Sequence, residues 1–457
     1  MTLADTPLAE FDWTPQPAAE AWVKRLVDRT LAANAWARTF ADRLAAESGN
    51  RFIDLLDFVI VPDDRATLQE LESAGFVAFD AGHNPPCPAY RHPGGLFPTV
   101  LLADHPETDV GIKVENVIDF AVVHSLPEPP AGKPASTLRW QLAARENGVN
   151  VYAVERRGSD ACDLPMDFPD LDAQAAVYER FRTRRRNFED DAAGFDHLEA
   201  IIDEAVAQLG PHVACHYFFA AEREYWQQRN TAAKVQKARQ DRLGIGWANH
   251  DHHTYRSSRV HFARLVRLWE KLGLTCRERF YAGKEAGWGA QVMESPVTGI
   301  VTFNDVDLSP EELMGDFSHD GLSPREELGT IGLWCGLHGE AVLQAGMHHL
   351  ECTFDFAGLS EQLEKDAGIR CMKPFTNFPH LKQAFTEGEV WPVAEGRLQK
   401  LLSGGYITPE QAETFRKNGA LGSHLENLER NAGFKGFNQK GVSEIIADTD
   451  PRKRATV

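Results

Sequence analysis

Two stretches of this chain repeat one another, and that repeat constrains the fold more than any other feature. The first runs from the β-rich "RFIDLLDFVIVPD" through the capped helix "DRATLQELESAG", which closes on Gly75, to "GGLFPTVLLAD" and "DVGIKVENVIDFAVVHSL". The second runs from "GWANHDHHTYRSS" through "RVHFARLVRLWEKLG" to "TCRERFYAG", "GAQVMES" and "GIVTFNDVDL". Setting Gly75 on Gly273 overlays the two helices without a gap, which places His252 on Asp54 and Arg256 on Phe58. The first copy therefore lacks the histidines and reads as a scaffold. A third unit opens at "MHHLECTFDF", continues through "GLSEQLEKDAG" and returns through "IRCMKPFT" and "LKQAFTEGEVWPV". Units of this β-α-β-β-β kind cannot bury a sheet face alone, so they pair into curved, half-open barrels. The expected class is α+β, with added helices.

Those helices are predicted over residues 19 to about 48, as one amphipathic element, over about 171–241, and in "TPEQAETFRKNG" near the end. A Pro/Gly/Ser connector covers 125–137. With 457 residues the chain exceeds one ordinary core, and we expect an N-terminal part over 1–210 and a second part over 211–457. The balance of 48 basic against 67 acidic residues gives a net charge of −19, which argues against nucleic acid or anionic membranes as partners. Seven scattered cysteines contain no C-x-x-C pair, and they read as reduced thiols. The opening "MTLADTPLAEFDWTPQPAAE" lacks the basic start and apolar core of a signal peptide, so the expected location is cytoplasmic. Nothing in the sequence speaks to oligomeric state.

Chemistry concentrates in "NHDHHTYR", residues Asn249 to Arg256. In a strand His250, His252, Thr254 and Arg256 share one face, and His253 and Tyr255 take the other, helix-packed one. At ~3.3 Å per residue His252 and Arg256 stand roughly 13 Å apart, which suits a metal at one end and a carboxylate held at the other. One strand of histidines alone would read as a solvated polar patch. A histidine in "GMHHLE" and a carboxylate in "AFTEGEVW" supply the rest of a two-histidine, one-carboxylate triad of the kind that binds Fe(II) with positions left open. Spacing alone does not choose between His348 and His349, or between Glu387 and Glu389. His250 and Glu351, co-facial with the proposed ligands, are possible supporting partners.

The run "DHHTYR", a helix, "VTFNDVDLSPEE", "HHLECTFD" and "FTEGEV" resembles the 2-oxoadipate dioxygenase/decarboxylase family, a branch of the vicinal-oxygen-chelate superfamily, over roughly residues 215–457. The resemblance implies a non-haem Fe(II) enzyme that uses O₂ to decarboxylate a 2-oxo diacid, turning 2-oxoadipate into 2-hydroxyglutarate and CO₂. It further implies His252, His349 and Glu387 as metal ligands and Arg256 as the catalytic grip on the substrate carboxylate. The terminal "GFKGFNQKG" resembles the segment that closes the pocket, with Phe434, Phe437 and Asn438 as lining residues. Two alternatives stay open: an aromatic 2-oxo acid as substrate, by resemblance to 4-hydroxyphenylpyruvate dioxygenase, and a binding protein of the same fold without turnover.

Overall fold

The helix expected over 19–48 is two helices, α1 (Pro17–Ala33) and α2 (Ala35–Ser48). Asn34 divides them: its backbone is extended, its side-chain oxygen accepts from Ala37 N, and its amide donates to Val149 O at 3.2 Å. An N-cap that also ties down a neighbouring strand is worth more than continuing the helix. The computed structural model describes residues 13–80, 88–165, 167–438 and 450–454.

The first repeat follows as β1 (Leu56–Pro62), α3 (Arg65–Ser73), β2 (Val77–Phe79), β3 (Ala89–Arg91) and β4 (Thr99–Ala103). A partial second unit adds β5 (Thr108–Lys113), α4 (Val117–Val123), β6 (Leu138–Glu146) and β7 (Val149–Arg156). Together they make a seven-stranded sheet in the order β2-β3-β4-β1-β5-β7-β6. Four helices then cross over: α5 (Leu171–Thr183), α6 (Asp191–Leu209), α7 (Pro211–Gln227) and α8 (Thr231–Asp241). Phe181, Phe195, Phe218 and Phe219 on them are buried in the core of the second sheet.

That sheet begins with β8 (His250–Arg256), α9 (Phe262–Lys271), β9 (Thr275–Tyr281), β10 (Trp288–Glu294) and β11 (Val301–Asp307). After α10 (Thr330–His338) come β12 (His349–Thr353), α11 (Phe356–Ala367), β13 (Thr376–Phe378) and β14 (Leu381–Phe385). The short β15 (Val390–Trp391) pairs with β16 (Ala420–Leu421) around α12 (Glu395–Ser403) and α13 (Pro409–Asn418), and β17 (His424–Arg430) completes the sheet. Gly75 and Gly273, the aligned glycines, both end their helices at positive φ, +90° and +81°, where a side chain would be strained.

The order of the eight strands is β13-β14-β17-β12-β8-β11-β10-β9. In each half the first strand lies parallel to the fourth, β8 to β11 and β12 to β17, and the second and third continue antiparallel outward. Two β-α-β-β-β units thus meet at the antiparallel pair β8–β12. This is the repeated, half-open barrel of the vicinal-oxygen-chelate type, with helices added. Its outer face is dry: Trp269 of α9 is fully buried against Tyr255 of β8, ring centroids 4.9 Å apart. Burying such a side chain contributes roughly 1.5–3 kcal/mol. His253 and Tyr255 take that outer face, as alternation requires. His253 meets Arg223 Nη1 at 3.1 Å, and Tyr255 donates to Glu222 at 3.4 Å.

Candidate metal centre

Where the two units join, the inner face of the sheet carries a row of polar side chains in register. On β12 and β17 the triplet His-Leu-Glu occurs twice and pairs with itself: His349 with His424, Leu350 with Leu425, Glu351 with Glu426. Across the junction Glu351 pairs with His252 and His349 with Thr254. Period-2 alternation then turns His252, Thr254, Arg256, His349, Glu351 and Glu426 into one pocket.

His252 and His349 approach a common point. Their Nε2 atoms lie 2.9 and 2.8 Å from Glu351 Oε1, which also accepts from Thr254 Oγ1 at 2.7 Å. Glu426 Oε2 is 3.8 Å from His349 Nε2, and its Oε1 accepts from Gln383 Nε2 at 2.8 Å. His252, Glu351 and Glu426 place ligand atoms within 4.8 Å of one another, all buried. The second oxygen of Glu351 is buried without a hydrogen-bond partner. Two imidazoles, two carboxylates and an unsatisfied buried oxygen are a donor set that fits a divalent transition metal.

The electrostatics follow from burial and these contacts. Burial drags the His252 imidazole down, but the Glu351 and Asp251 carboxylates outweigh it and hold the group above its ordinary value. His349, for which burial dominates, is lowered. Burial works against ionising Glu351, yet the two imidazoles beside it hold it down to about 2. Glu426, buried and next to Glu351, is pushed well above the carboxylate range.

Asp251 owes its place to a β-bulge. On β12 Glu351 opposes His252 but Cys352 opposes His250, so Asp251 is an extra residue in β8. Its carboxylate reaches His252 Nδ1 at 2.8 Å and is held by Arg430 at 2.8 and 3.0 Å. A carboxylate on one ring nitrogen fixes which nitrogen faces a metal. The same bulge corrects the expectation for His250: it turns to the outer face, its ring 5.2 Å from that of His253.

Arg256 lines the same pocket and pairs in register with Asp305. Its Nε is 3.6 Å from Asp305 Oδ2, and its guanidinium lies 5.5 Å from the Trp334 ring centroid. The Arg256 Nε and Asp305 Oδ1 are both buried without hydrogen-bond partners. Burial pushes Asp305 up to about 8, with Arg256 only partly offsetting it. Such a loosely paired guanidinium has donors to spare for a carboxylate.

Of the other expected site residues, Phe437 and Asn438 line the pocket. Phe437 lies 4.8 Å from the His252 ring and 5.0 Å from that of Phe303. Arg430 fixes this segment by donating to the Phe434 and Gly436 carbonyls. Phe434 is corrected: it packs with Leu381 and Leu428, its ring 4.6 Å from His380, and is not part of the pocket wall. Residues from 439 to 449 lie outside the described residues.

Glu387 does not join the histidines. β14 ends at Phe385, so the alternation that would set Glu387 on the pocket side stops before reaching it. Its half-exposed carboxylate pairs with Arg370 at 2.7 Å instead. Glu389 accepts from Thr231 N at 2.5 Å, away from the pocket. The carboxylate that completes the cluster is Glu426. Its strand goes unread in the sequence because "HLENLER" shows no apolar-polar alternation to mark it, whereas all seven residues are buried. The recurring His-Leu-Glu, and the fourth strand that a second β-α-β-β-β unit must have, were the available signals.

No family model matches the chain, and no curated protein does. Among solved structures, the chain is similar to a triple mutant of 4-hydroxymandelate synthase from Streptomyces coelicolor, at 14% identity over 89% of this chain and 99% of that one, TM-score 0.28. It is also similar to a glyoxalase-superfamily protein from Ralstonia eutropha JMP134, at 13% identity over 59% and 99%, TM-score 0.34. Methylmalonyl-CoA epimerase from Mycobacterium tuberculosis matches at 11% identity over 40% and 88%, TM-score 0.24. At this identity and overlap the likeness concerns the fold alone, and strand order carries the architecture. No helix among the described residues is long and apolar enough to cross a membrane.

Proposed function

We propose that this protein is a non-haem Fe(II)-dependent dioxygenase that oxidatively decarboxylates a short 2-oxo diacid, with 2-oxoadipate as the first candidate. His252, His349 and Glu426 hold the ion, and Glu351 beside them supplies the second negative charge that a buried dication needs. The reading rests on one observation, the approach of both imidazole Nε2 atoms to one oxygen of the buried Glu351, with the buried Glu426 beside them. Bound Fe(II) would supply open positions for a 2-oxo acid and O₂ and the redox chemistry that joins them.

The chain's own residues bind and orient. Arg256 receives the distal carboxylate in a bidentate grip, which turns the keto end of the substrate toward the histidines. Asp251 keeps the His252 proton on Nδ1, leaving Nε2 free for the metal. Phe437 and Phe303 shield the His252 ring from water. Arg256 also separates this reading from a metal-binding protein of the fold without turnover, which needs no buried cation lining the pocket.

A second reading has an observation of its own. Phe280, Trp288, Phe303, Phe375, Phe385 and Phe437 all line the pocket, which suits an aromatic 2-oxo acid. Oxygen uptake by anaerobically purified, Fe(II)-loaded protein tests both. We expect consumption with 2-oxoadipate and release of one CO₂ per O₂. Uptake with an arylpyruvate alone supports the second reading, and no uptake with either refutes the enzyme.

A further inference from the structure

One other group of metal-type donors stands together among the described residues: Glu270, Cys276 and His319, with ligand atoms within 4.8 Å of one another. It shares no residue with the buried pocket. Glu270 lies in the last turn of helix α9, and Cys276 lies on β9, the open edge of the eight-stranded sheet. His319 follows a 3₁₀ turn at Glu312–Met314. Phe317, buried and stacked on Phe262 at 5.7 Å, fixes that turn against the core.

The His319 ring is held from both sides. Asp316 Oδ2 lies 2.8 Å from Nδ1, and Glu270 Oε1 lies 2.8 Å from Nε2. A carboxylate on one ring nitrogen that aims the other at further donors is the arrangement found around metal-ligating imidazoles.

We propose that Glu270, Cys276 and His319 form a surface site for Zn(II), with Asp316 orienting the imidazole. The donor set favours this class of ion: a thiolate with an imidazole selects a borderline-soft divalent metal, whereas Mg²⁺ and Ca²⁺ take oxygen alone. Size is compatible. Zinc bonds of ~2.0–2.3 Å set tetrahedral donors roughly 3.3–3.8 Å apart. The present spread of up to 4.8 Å has to tighten by roughly 1 Å. The Glu270 and His319 side chains, 40% and 41% exposed, do this by rotation. The ion takes the place of the proton between His319 Nε2 and Glu270 Oε1, displaces the thiol proton of Cys276, and keeps a fourth position for water. It clips the turn at 312–319 to the free sheet edge. Cys276 is the exposed thiol among the described cysteines, the others being buried or half-buried.

Co(II) titration of the full-length, chelator-treated protein tests the site, because a thiolate ligand gives a near-ultraviolet sulfur-to-cobalt charge-transfer band. None of the described cysteines lines the buried pocket, so a band lost in Cys276→Ser reports on this site. We expect the band to saturate by two equivalents in the wild type, one for each metal site, to persist in Glu426→Gln, to vanish in Cys276→Ser, and to be displaced by Zn(II). His319→Asn should weaken Co(II) binding at least tenfold. No thiolate band at two or more equivalents of cobalt, or a band that survives Cys276→Ser, overturns the proposal. Either result leaves the buried centre untouched.

Discussion

Replacing Glu426 by Gln, and separately Glu387 by Gln, decides which glutamate serves the metal. The Glu387 carboxylate is 50% exposed and paired with Arg370, itself 65% exposed. An exposed pair of that kind is worth about 0–1 kcal/mol, so E387Q should scarcely move stability and leave metal affinity alone. Glu426 is 2% exposed, with Gln383 donating to one oxygen. Loss of a supporting partner costs a metal site about 10–100-fold, and loss of a ligand should reach at least the upper figure. At an ion concentration of ~100 Kd the wild type gains about 2.7 kcal/mol from binding; a hundredfold weaker variant gains about 0.4 kcal/mol. For a unit of about 200 residues the difference of about 2.3 kcal/mol corresponds to about 5–9 °C in Tm. Thermal unfolding of the protein with and without Mn(II) or Fe(II) under nitrogen reads this directly. The metal-free E426Q protein should unfold no earlier than wild type, because the amide replaces a buried carboxyl that has no close cationic partner. A metal-induced shift kept in E426Q and lost in E387Q would refute the assignment.

Further outcomes follow from the same contacts. Arg256→Met should lower kcat/KM for a 2-oxo diacid by at least ~150-fold, two charge-assisted bonds of ~1.5 kcal/mol each, while changing a 2-oxo monoacid of equal length by less than ~5-fold; equal losses on both would count against the grip. Asp251→Asn should weaken metal binding about 10–100-fold through His252, measured by chelator competition. Asn431→Ala should raise KM about 5–10-fold and leave metal affinity unchanged, because it frees the segment carrying Phe437 without touching a ligand. Glu312 bears on acid stability: burial opposes its ionisation, but Arg259 and Arg325 hold it down to about 2. A depressed acid stabilises the fold above its unfolded pKa and loses that contribution as pH falls, so Glu312→Gln should cost about 1 kcal/mol at pH 7 after solvent screening. In urea titrations the difference should vanish between about pH 4.5 and 2.

The repeat, the histidine strand and the place of Arg256 were readable because each rests on a local period. The helix pattern of α9 and the alternation of β8 from His252 to Arg256 survive folding, and the glycines closing α3 and α9 mark equivalent positions in two units. What failed did so where the period broke. One extra residue at Asp251 reversed His250, and the early end of β14 at Phe385 removed Glu387 from the pocket face. Asn34 divided a helix whose hydrophobic pattern ran straight through it. β17 failed for a different reason: with Glu426, Glu429 and Arg430 buried, its polarity reports the site it builds and hides the strand that carries it. A functional strand made of buried charges is where hydrophobic periodicity has least to say.

The first half, whose described residues form no group of metal-type donors, also has a physical task in this arrangement. The chain after β17 must hold Phe437 over His252, yet residues 431–438 have no regular secondary structure. Part of their support comes from the N-terminal half. Arg51 donates to the Arg430 carbonyl and to Asn431 Oδ1, Glu20 accepts from Ala432 N, Gln16 N donates to the Ala432 carbonyl, and Leu96 N donates to that of Gly433. Arg430, the last residue of β17, then grips Asp251, and Asp251 orients His252. A connected path of hydrogen bonds therefore runs from the copy that lost its histidines to the imidazole of the copy that kept them. A unit with no group of metal-type donors among its described residues that still sets the wall and the first ligand of its partner's pocket is a scaffold in a specific sense: the geometry at His252 depends on contacts made by residues more than 150 positions earlier in the chain.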